Sequence, residues 1–203
     1  MDAGIARQAI FDRNKNLYGY ELLYRHGKNN HFPNIDGDKA TDSVLKLTFD
    51  GQSSNTQFIS NGLPCFVNFT HNKILDNTPF AYPNSKLIIE VLESCQIDGS
   101  LISALKKLRR HGYTIAFDDF QPTRNWLDIL YLADIVKIDY SALSTTTISQ
   151  LIKVLPDDRQ FKLVAEKLEY THQIDHAISL GFDLLQGYGL KRPELMELDV
   201  AAA

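Results

Sequence analysis

A chain of 203 residues is long enough to form one domain with a sizeable core, and its balance of 44% apolar to 23% charged residues excludes an intrinsically disordered polypeptide. The 21 basic and 25 acidic side chains leave a net charge of −4 with no block of like sign, which excludes a polybasic face for a nucleic-acid duplex or an anionic membrane. Cys65 and Cys95 have neither metal nor redox spacing and are read as buried small hydrophobes. No apolar run approaches the roughly 18 residues of a membrane span, and the opening MDAGIARQAIFDR lacks a signal-peptide core. The expectation is a soluble, cytoplasmic protein without a membrane partner.

In chain order, QAIFDRNKNLYGYELLYR (8–25) holds two strand-like runs around a polar turn, the pattern of a β-hairpin. A helix is predicted over 38–49, with Asp38 or Thr41 as its cap. Six apolar, β-branched runs follow: CFVNFT (65–70), KLIIEV (86–91), TIAFDDF (114–120), DIVKIDY (134–140), FKLVAEKLE (161–169) and FDLLQGYGL (182–190). Each reads as a buried strand. Helical patterns fill the gaps between them. Leu101, Ile102, Leu105 and Leu108 share one face ahead of Gly112, and 126–132, 148–155 and 174–180 repeat the spacing, the last before Gly181.

Sequential βα units build either an open doubly wound sheet or a closed barrel. The first turn carries no glycine-rich phosphate fingerprint, so the barrel is favoured, with about seven strands and six crossovers. The predicted class is α/β: a trimmed TIM-type (β/α) barrel with an N-terminal β-hairpin leading into its first strand. Residues 1–203 would form a single domain, with 194–203 a tail.

Each apolar run ends in polar or ionisable residues: Glu21 and Arg25, Asn68, Glu90, Asp118 with Asp119, Lys137 with Asp139, Glu166 with Glu169, and Gln186. A barrel gathers these ends on one face, where such folds carry their active sites. Any one acid in that position more often caps the next helix, and for Asp119 or Asp139 alone that reading comes first. Seven coincidences favour a shared cation centre, because buried carboxylates are costly unless compensated. Glu, Asp and Asn oxygens are hard ligands, suited to Mg²⁺, Mn²⁺ or Ca²⁺. Asp118 and Asp119 can serve one centre only if the strand ends or bulges there, and could then serve two neighbouring ions.

The histidines His26, His31, His71, His111, His172 and His176 fall in loops or on helices and are taken as structural or exposed. Tyr18, Tyr20, Phe66, Phe69 and Phe117 read as core. For Tyr188 packing is preferred over stacking on a ligand, and Trp126 is left open between a surface anchor and a buried position.

Taken together, the motifs resemble the EAL domain, the phosphodiesterase module acting on the bacterial second messenger cyclic di-GMP, from about Gln8 to Pro193. YGYELLYR is similar to the signature ExLxR, FVNFT to the VNLS segment, LIIEVLE to ExxE, IAFDDF to the DD pair, IVKID to KID, VAEKLE to AExxE and LLQGYGLKRP to QGY. The resemblance implies one or two Mg²⁺ or Mn²⁺ ions held by Glu21, Asn68, Glu90, Asp118, Asp119 and Glu166. Glu166, Lys137, Asp118 and Asp119 would be catalytic, and Arg25, Glu169 and Gln186 would bind substrate. Glu93 would brace a loop, and cyclic di-GMP would be hydrolysed to pGpG.

Two departures bear on activity: the family's Gly-Thr-Gly loop after the DD pair is QPTRNW here, and the signature alanine is Leu22. Reduced turnover, or a module that binds cyclic di-GMP or a protein partner without hydrolysis, is the alternative. The trimmed pattern is most similar to EAL domains joined to a C-terminal HDOD domain, and a homodimer is a candidate assembly.

Overall fold

The computed structural model describes residues 3–26, 33, 35–50, 54–155 and 158–196. The N-terminal run folds as a hairpin of β1 (Ala3–Asp12) and β2 (Leu17–His26). Asp12 organises the turn by accepting the Asn14 and Asn16 backbone N–H groups, each at 2.8 Å. Next come α1 (Gly37–Phe49), α2 (Ser54–Ser60), β3 (Cys65–Phe69), α3 (His71–Leu75) and β4 (Leu87–Val91). They are followed by α4 (Gly99–Arg110), β5 (Thr114–Phe117), α5 (Arg124–Asp128) and β6 (Ile135–Asp139). The described residues end with α6 (Thr145–Val154), β7 (Lys162–Glu166), α7 (Thr171–Ser179), β8 (Leu184–Leu185) and β9 (Glu194–Met196).

Strands β2 to β8 pair in sequence order, all parallel, as the predicted seven strands with six crossovers. The ring is closed by β1, which runs antiparallel to both β2 and β8, through Phe11 and Asp12 against Leu185 and Leu184. The hairpin therefore does more than lead into the first strand. Its second strand is that first strand, and its first is the eighth stave of the barrel. The segment predicted as a tail contributes β9, whose Glu194–Met196 pair antiparallel with Ile5–Arg7 of β1. Residues 197–203 lie outside the described part.

Two apolar layers follow from the period of two along each strand. Ile10, Phe66, Ile88, Ala116, Ile135, Val164 and Leu184 fill the inside of the barrel at one end. Their neighbours Val67, Ile89, Phe117, Val136 and Ala165 face outward, onto Leu101, Leu105 and Leu108 of α4, Val44 and Leu45 of α1, Ile148 and Leu151 of α6, and Ile174 of α7. Each such aliphatic side chain contributes about 1.5–3 kcal/mol of hydrophobic stabilisation. Cys65 and Cys95 are both free and buried.

The boundaries differ from expectation where side chains override pattern. Helix α1 is capped by Asp36, which accepts the Lys39 N–H, and not by Asp38 or Thr41. The Thr41 hydroxyl instead donates to the Asn68 carbonyl at 2.7 Å, tying α1 to β3. The 126–132 pattern breaks into α5 and a short 3₁₀ turn at Leu130–Leu132, with Trp126 buried edge-on against Phe117. His26 ends a strand, whereas His31 lies outside the described residues. Among the described residues no helix is long and apolar enough to cross a membrane.

Candidate active site

Two residues beyond the apolar inner layer, each parallel strand presents a polar side chain on the same inward parity. Phe66 is followed by Asn68, Ile88 by Glu90, Ala116 by Asp118, Ile135 by Lys137, Val164 by Glu166, and Leu184 by Gln186. Glu21 completes the set from β2 and Gln8 from β1, so every stave contributes one polar group to this end of the barrel. Glu21, Asp118, Lys137, Glu166, Gln186 and Gln8 line a cleft of about 350 Å³, within the usual range for a ligand site. Because strand polarity is shared, the cleft lies at the carboxyl ends of the parallel strands, the end at which βα barrels carry chemistry.

Lys137 is the hub. Its Nζ lies 2.7 Å from Asp118 Oδ1, 2.8 Å from Glu166 Oε1 and 3.8 Å from Glu21 Oε2, and also contacts Glu90 Oε1. Its side chain is only 1% exposed. Four carboxylates thus face one ammonium in a water-poor setting, an excess of negative charge that costs several kcal/mol unless protons or cations offset it. Burial, with Asp118 and Glu21 adding to it against Lys137, pushes the Glu166 carboxyl up to about 8. Burial likewise pushes Glu90 well above the usual carboxylate range. On Lys137 burial acts downward, but Asp118, Glu166, Glu21 and Glu90 outweigh it and the ammonium is held protonated.

The amides are arranged around Glu21. Gln186 Nε2 donates to Glu21 Oε2 at 2.6 Å and Asn68 Nδ2 to Glu21 Oε1 at 3.5 Å. Both amide N–H₂ groups therefore turn to the carboxylate, and the oxygens Asn68 Oδ1 and Gln186 Oε1, together with Glu90 Oε2, are buried without a hydrogen-bond partner. Buried acceptors left in this state are costly and unusual, and a cation satisfies them. Gln186 is held in place by Gly187, whose φ of +154° and contact with the Leu168 backbone leave no room for a Cβ.

Asp118 and Asp119 reach the same mouth because β5 ends at Phe117 and Asp119 takes a left-handed φ of +43°. Ligand oxygens of Glu93, Asp118 and Asp119 lie within 4.8 Å of one another, a grouping that could hold a cation. Glu93, read as a loop brace, is thus near enough to be a ligand. Burial and Asp118 push the Asp119 carboxyl up, opposed by Lys167. The Glu169 side chain lines the cleft, and its backbone N–H donates to Gln173 Oε1 at 2.8 Å. Arg25 is buried and donates from Nη1 to the Tyr24 carbonyl at 2.8 Å. It does not line the cleft.

Tyr188 corrects the packing expectation: it is 51% exposed, lines the cleft, and carries the Arg192 guanidinium 4.7 Å from its ring centroid. Gln8, Ser141 and Lys167 also line the cleft, beyond the strand-end residues that the sequence pattern marks. Gln8 was in principle legible, two residues before the inner-layer Ile10. Lys167 was not, since a lysine beside a strand end ordinarily points to solvent.

Residues 42–193 match the EAL domain family model. The chain is 31% identical over 195 residues to cyclic di-GMP phosphodiesterase CdgJ of Vibrio cholerae, covering 95% of this chain and 45% of that protein. It is 35% identical over 198 residues to YuxH of Bacillus subtilis, covering 95% and 47%. The chain thus spans about half the length of these relatives. Among solved structures, BlrP1 of Klebsiella pneumoniae in a calcium and cyclic di-GMP complex superposes with a TM-score of 0.75 at 20% identity, covering 98% of this chain and 57% of that one. An EAL domain protein of Listeria monocytogenes superposes with a TM-score of 0.72 at 21% identity, covering 94% and 88%. At these identities the likeness shows the shared barrel. The family follows from the sequence matches and the ring of acids: the chain belongs to the EAL domain family.

Proposed function

We propose that the chain is a single barrel domain that hydrolyses cyclic di-GMP to pGpG with the help of Mg²⁺ or Mn²⁺. The observation that carries this reading is the orphaned set of buried oxygens, Asn68 Oδ1, Gln186 Oε1 and Glu90 Oε2, beside four carboxylates that a single ammonium leaves in excess. Such an all-oxygen donor set fits a hard dication. Glu21, Asn68, Glu90 and Glu166 would hold one ion, and Asp118 with Asp119 would share a second. When bound, such ions supply Lewis-acid charge to the phosphodiester and acidify a water.

The chain's own residues supply the rest. Glu166, beside Lys137 in the cleft, would serve as general base, a bound cation drawing its burial-raised carboxyl pKa back down so that the group can accept a proton. Lys137, fixed by its four partners, sets a positive charge where charge builds on the phosphate oxygens. Gln186 orients Glu21, Glu169 reaches substrate at the rim, and Glu93 braces the loop after Asp119. Arg25 is assigned to a substrate phosphate by its place in the ExLxR-like motif alone, since its Nη1 donates to the Tyr24 carbonyl and the residue does not line the cleft. The relative named cyclic di-GMP phosphodiesterase supports the substrate assignment. Cytoplasmic location follows as a proposal from that nucleotide.

The test is incubation of the full chain with cyclic di-GMP and Mn²⁺, with separation of the nucleotides. Formation of pGpG, lost in Asp118→Asn, supports the reading; intact cyclic di-GMP at high enzyme refutes turnover. A second reading, nucleotide binding without hydrolysis, is favoured by one observation: Asp119 is engaged by Lys167. Calorimetric titration of cyclic di-GMP into a chain that forms no pGpG would establish it.

A further inference from the structure

A second lysine stands at the mouth of the barrel, outside the ring of inward residues. Lys167 directly follows β7 and has a φ of +55°, a left-handed conformation that a non-glycine residue adopts only when its surroundings hold it there. Its Nζ crosses the end of β6 to Asp139 Oδ2 at 2.5 Å and to the Asp119 oxygens at 3.3 and 3.4 Å. Asp139 is itself fixed, since its Oδ1 accepts the backbone N–H of Ser141 at 2.5 Å and of Ala142 at 3.1 Å. Asp119 is left-handed too, so two strained residues meet through one ion pair. Asp119 is at the same time one of the three acids, with Glu93 and Asp118, whose oxygens lie within 4.8 Å of one another. One carboxylate therefore belongs both to an ion pair with a tethered ammonium and to a group of acids that could hold a cation.

We propose that Lys167 is a built-in competitor for the second divalent cation, holding Asp119 to Asp139 so that the second ion binds well below the affinity of the first. This inference rests on the metal reading of the site. Its electrostatics are simple: an ammonium within hydrogen-bond reach of a ligand carboxylate repels a dication and occupies lone pairs the dication needs. Tethering gives the ammonium a high effective concentration that salt in the medium does not match. The Lys167 side chain is 50% exposed and can swing away, so the competition is reversible.

The test is titration of the metal-free full chain with Mn²⁺ by calorimetry, with bound ions counted by electron paramagnetic resonance, for wild type, Lys167→Met, Lys167→Gly and Lys167→Arg. Wild type is expected to take one ion with the second at least tenfold weaker. Lys167→Met and Lys167→Gly should tighten the second ion at least tenfold and leave the first within about twofold, while Lys167→Arg, which keeps the charge, should behave as wild type. Glycine suits the left-handed backbone and keeps the test valid if the methionine variant misfolds. A second-ion affinity unchanged or weakened in the variants, or two equal sites in wild type, overturns the role of Lys167 while the metal reading stands. Absence of any bound ion in every protein overturns both.

Discussion

Lys137 on β6 and Lys167 just past the end of neighbouring β7 each gather acids from other strands, and burial separates their roles. Lys137 is buried at the floor of the cleft among four carboxylates, with 1% of its side chain exposed. Lys167 lies at the rim with two carboxylates and half its side chain in solvent. In the first position an ammonium is part of the folded state, and in the second it is an adjustable charge. The same residue type, at an inward position on β6 against one position past the end of β7, thus divides between a fixed charge of the site and an adjustable one because the local dielectric differs.

The comparison breaks most visibly at Lys137. Lys137→Met strands Glu21, Glu90, Asp118 and Glu166 with no compensating charge, and a loss of about 3–5 kcal/mol is expected by denaturant unfolding of the metal-free chain. Lys167→Met should cost no more than about 1 kcal/mol in the same experiment, as exposed pairs do. Comparable losses would mean that burial does not separate the two lysines.

Next in size, Glu21→Gln removes the charge that both Asn68 and Gln186 address with their N–H₂ groups. Turnover of cyclic di-GMP in Mn²⁺ should fall about 100- to 1,000-fold, a transition-state loss of ~3–4 kcal/mol. Full activity would remove Glu21 from the site.

pH sharpens the buried side of the comparison. Glu166 has a folded-state pKa of about 8 against an ordinary 4.5, so its protonated form is favoured by folding. That stabilisation is complete below about pH 4.5 and is lost as pH rises toward 8. The metal-free chain should melt at least ~5 °C lower at pH 8 than at pH 5, since 1 kcal/mol is about 2–4 °C at this size. Saturating Mn²⁺ should abolish most of that drop, because a cation takes the place of the proton. A flat profile without metal would mean that Glu166 is not strained by burial.

The smallest effect is expected at the rim. Tyr188→Ala removes an exposed ring with Arg192 stacked on it, and should weaken cyclic di-GMP binding about fivefold, roughly 1 kcal/mol. Its melting temperature should stay within about 2 °C of wild type. A stability loss without a binding loss would return Tyr188 to the packing role read from the sequence.

Much of the site was legible because inward-facing positions obey a local rule. A strand alternates, so an apolar residue two positions before Asn68, Glu90, Asp118, Lys137, Glu166 or Gln186 marks both as inward, and the ring can be read stave by stave. Asp139, for which capping came first, does cap the following turn. Tyr188 is not legible as a cleft residue because aromatic residues at strand ends are usually core, and nothing local announces that Gly187 turns the chain outward. Asp36 displaced Asp38 and Thr41 as the α1 cap because Asp38 is engaged by Thr70 and Thr41 by the Asn68 carbonyl, contacts made with distant segments.

From the residues in order come the seven parallel strands, the helices that cover them and the ring of acids, since all three depend on patterns within a few neighbouring positions. The folded chain alone decided how the ring closes, because β1 must meet β8 across more than 170 residues and β9 must return to β1. It also decided where Lys167 points, because that direction is set by two left-handed backbones and by a carboxylate on each of two other strand ends. Local alternation is written in sequence, whereas the meeting of distant charges exists only once the barrel is shut.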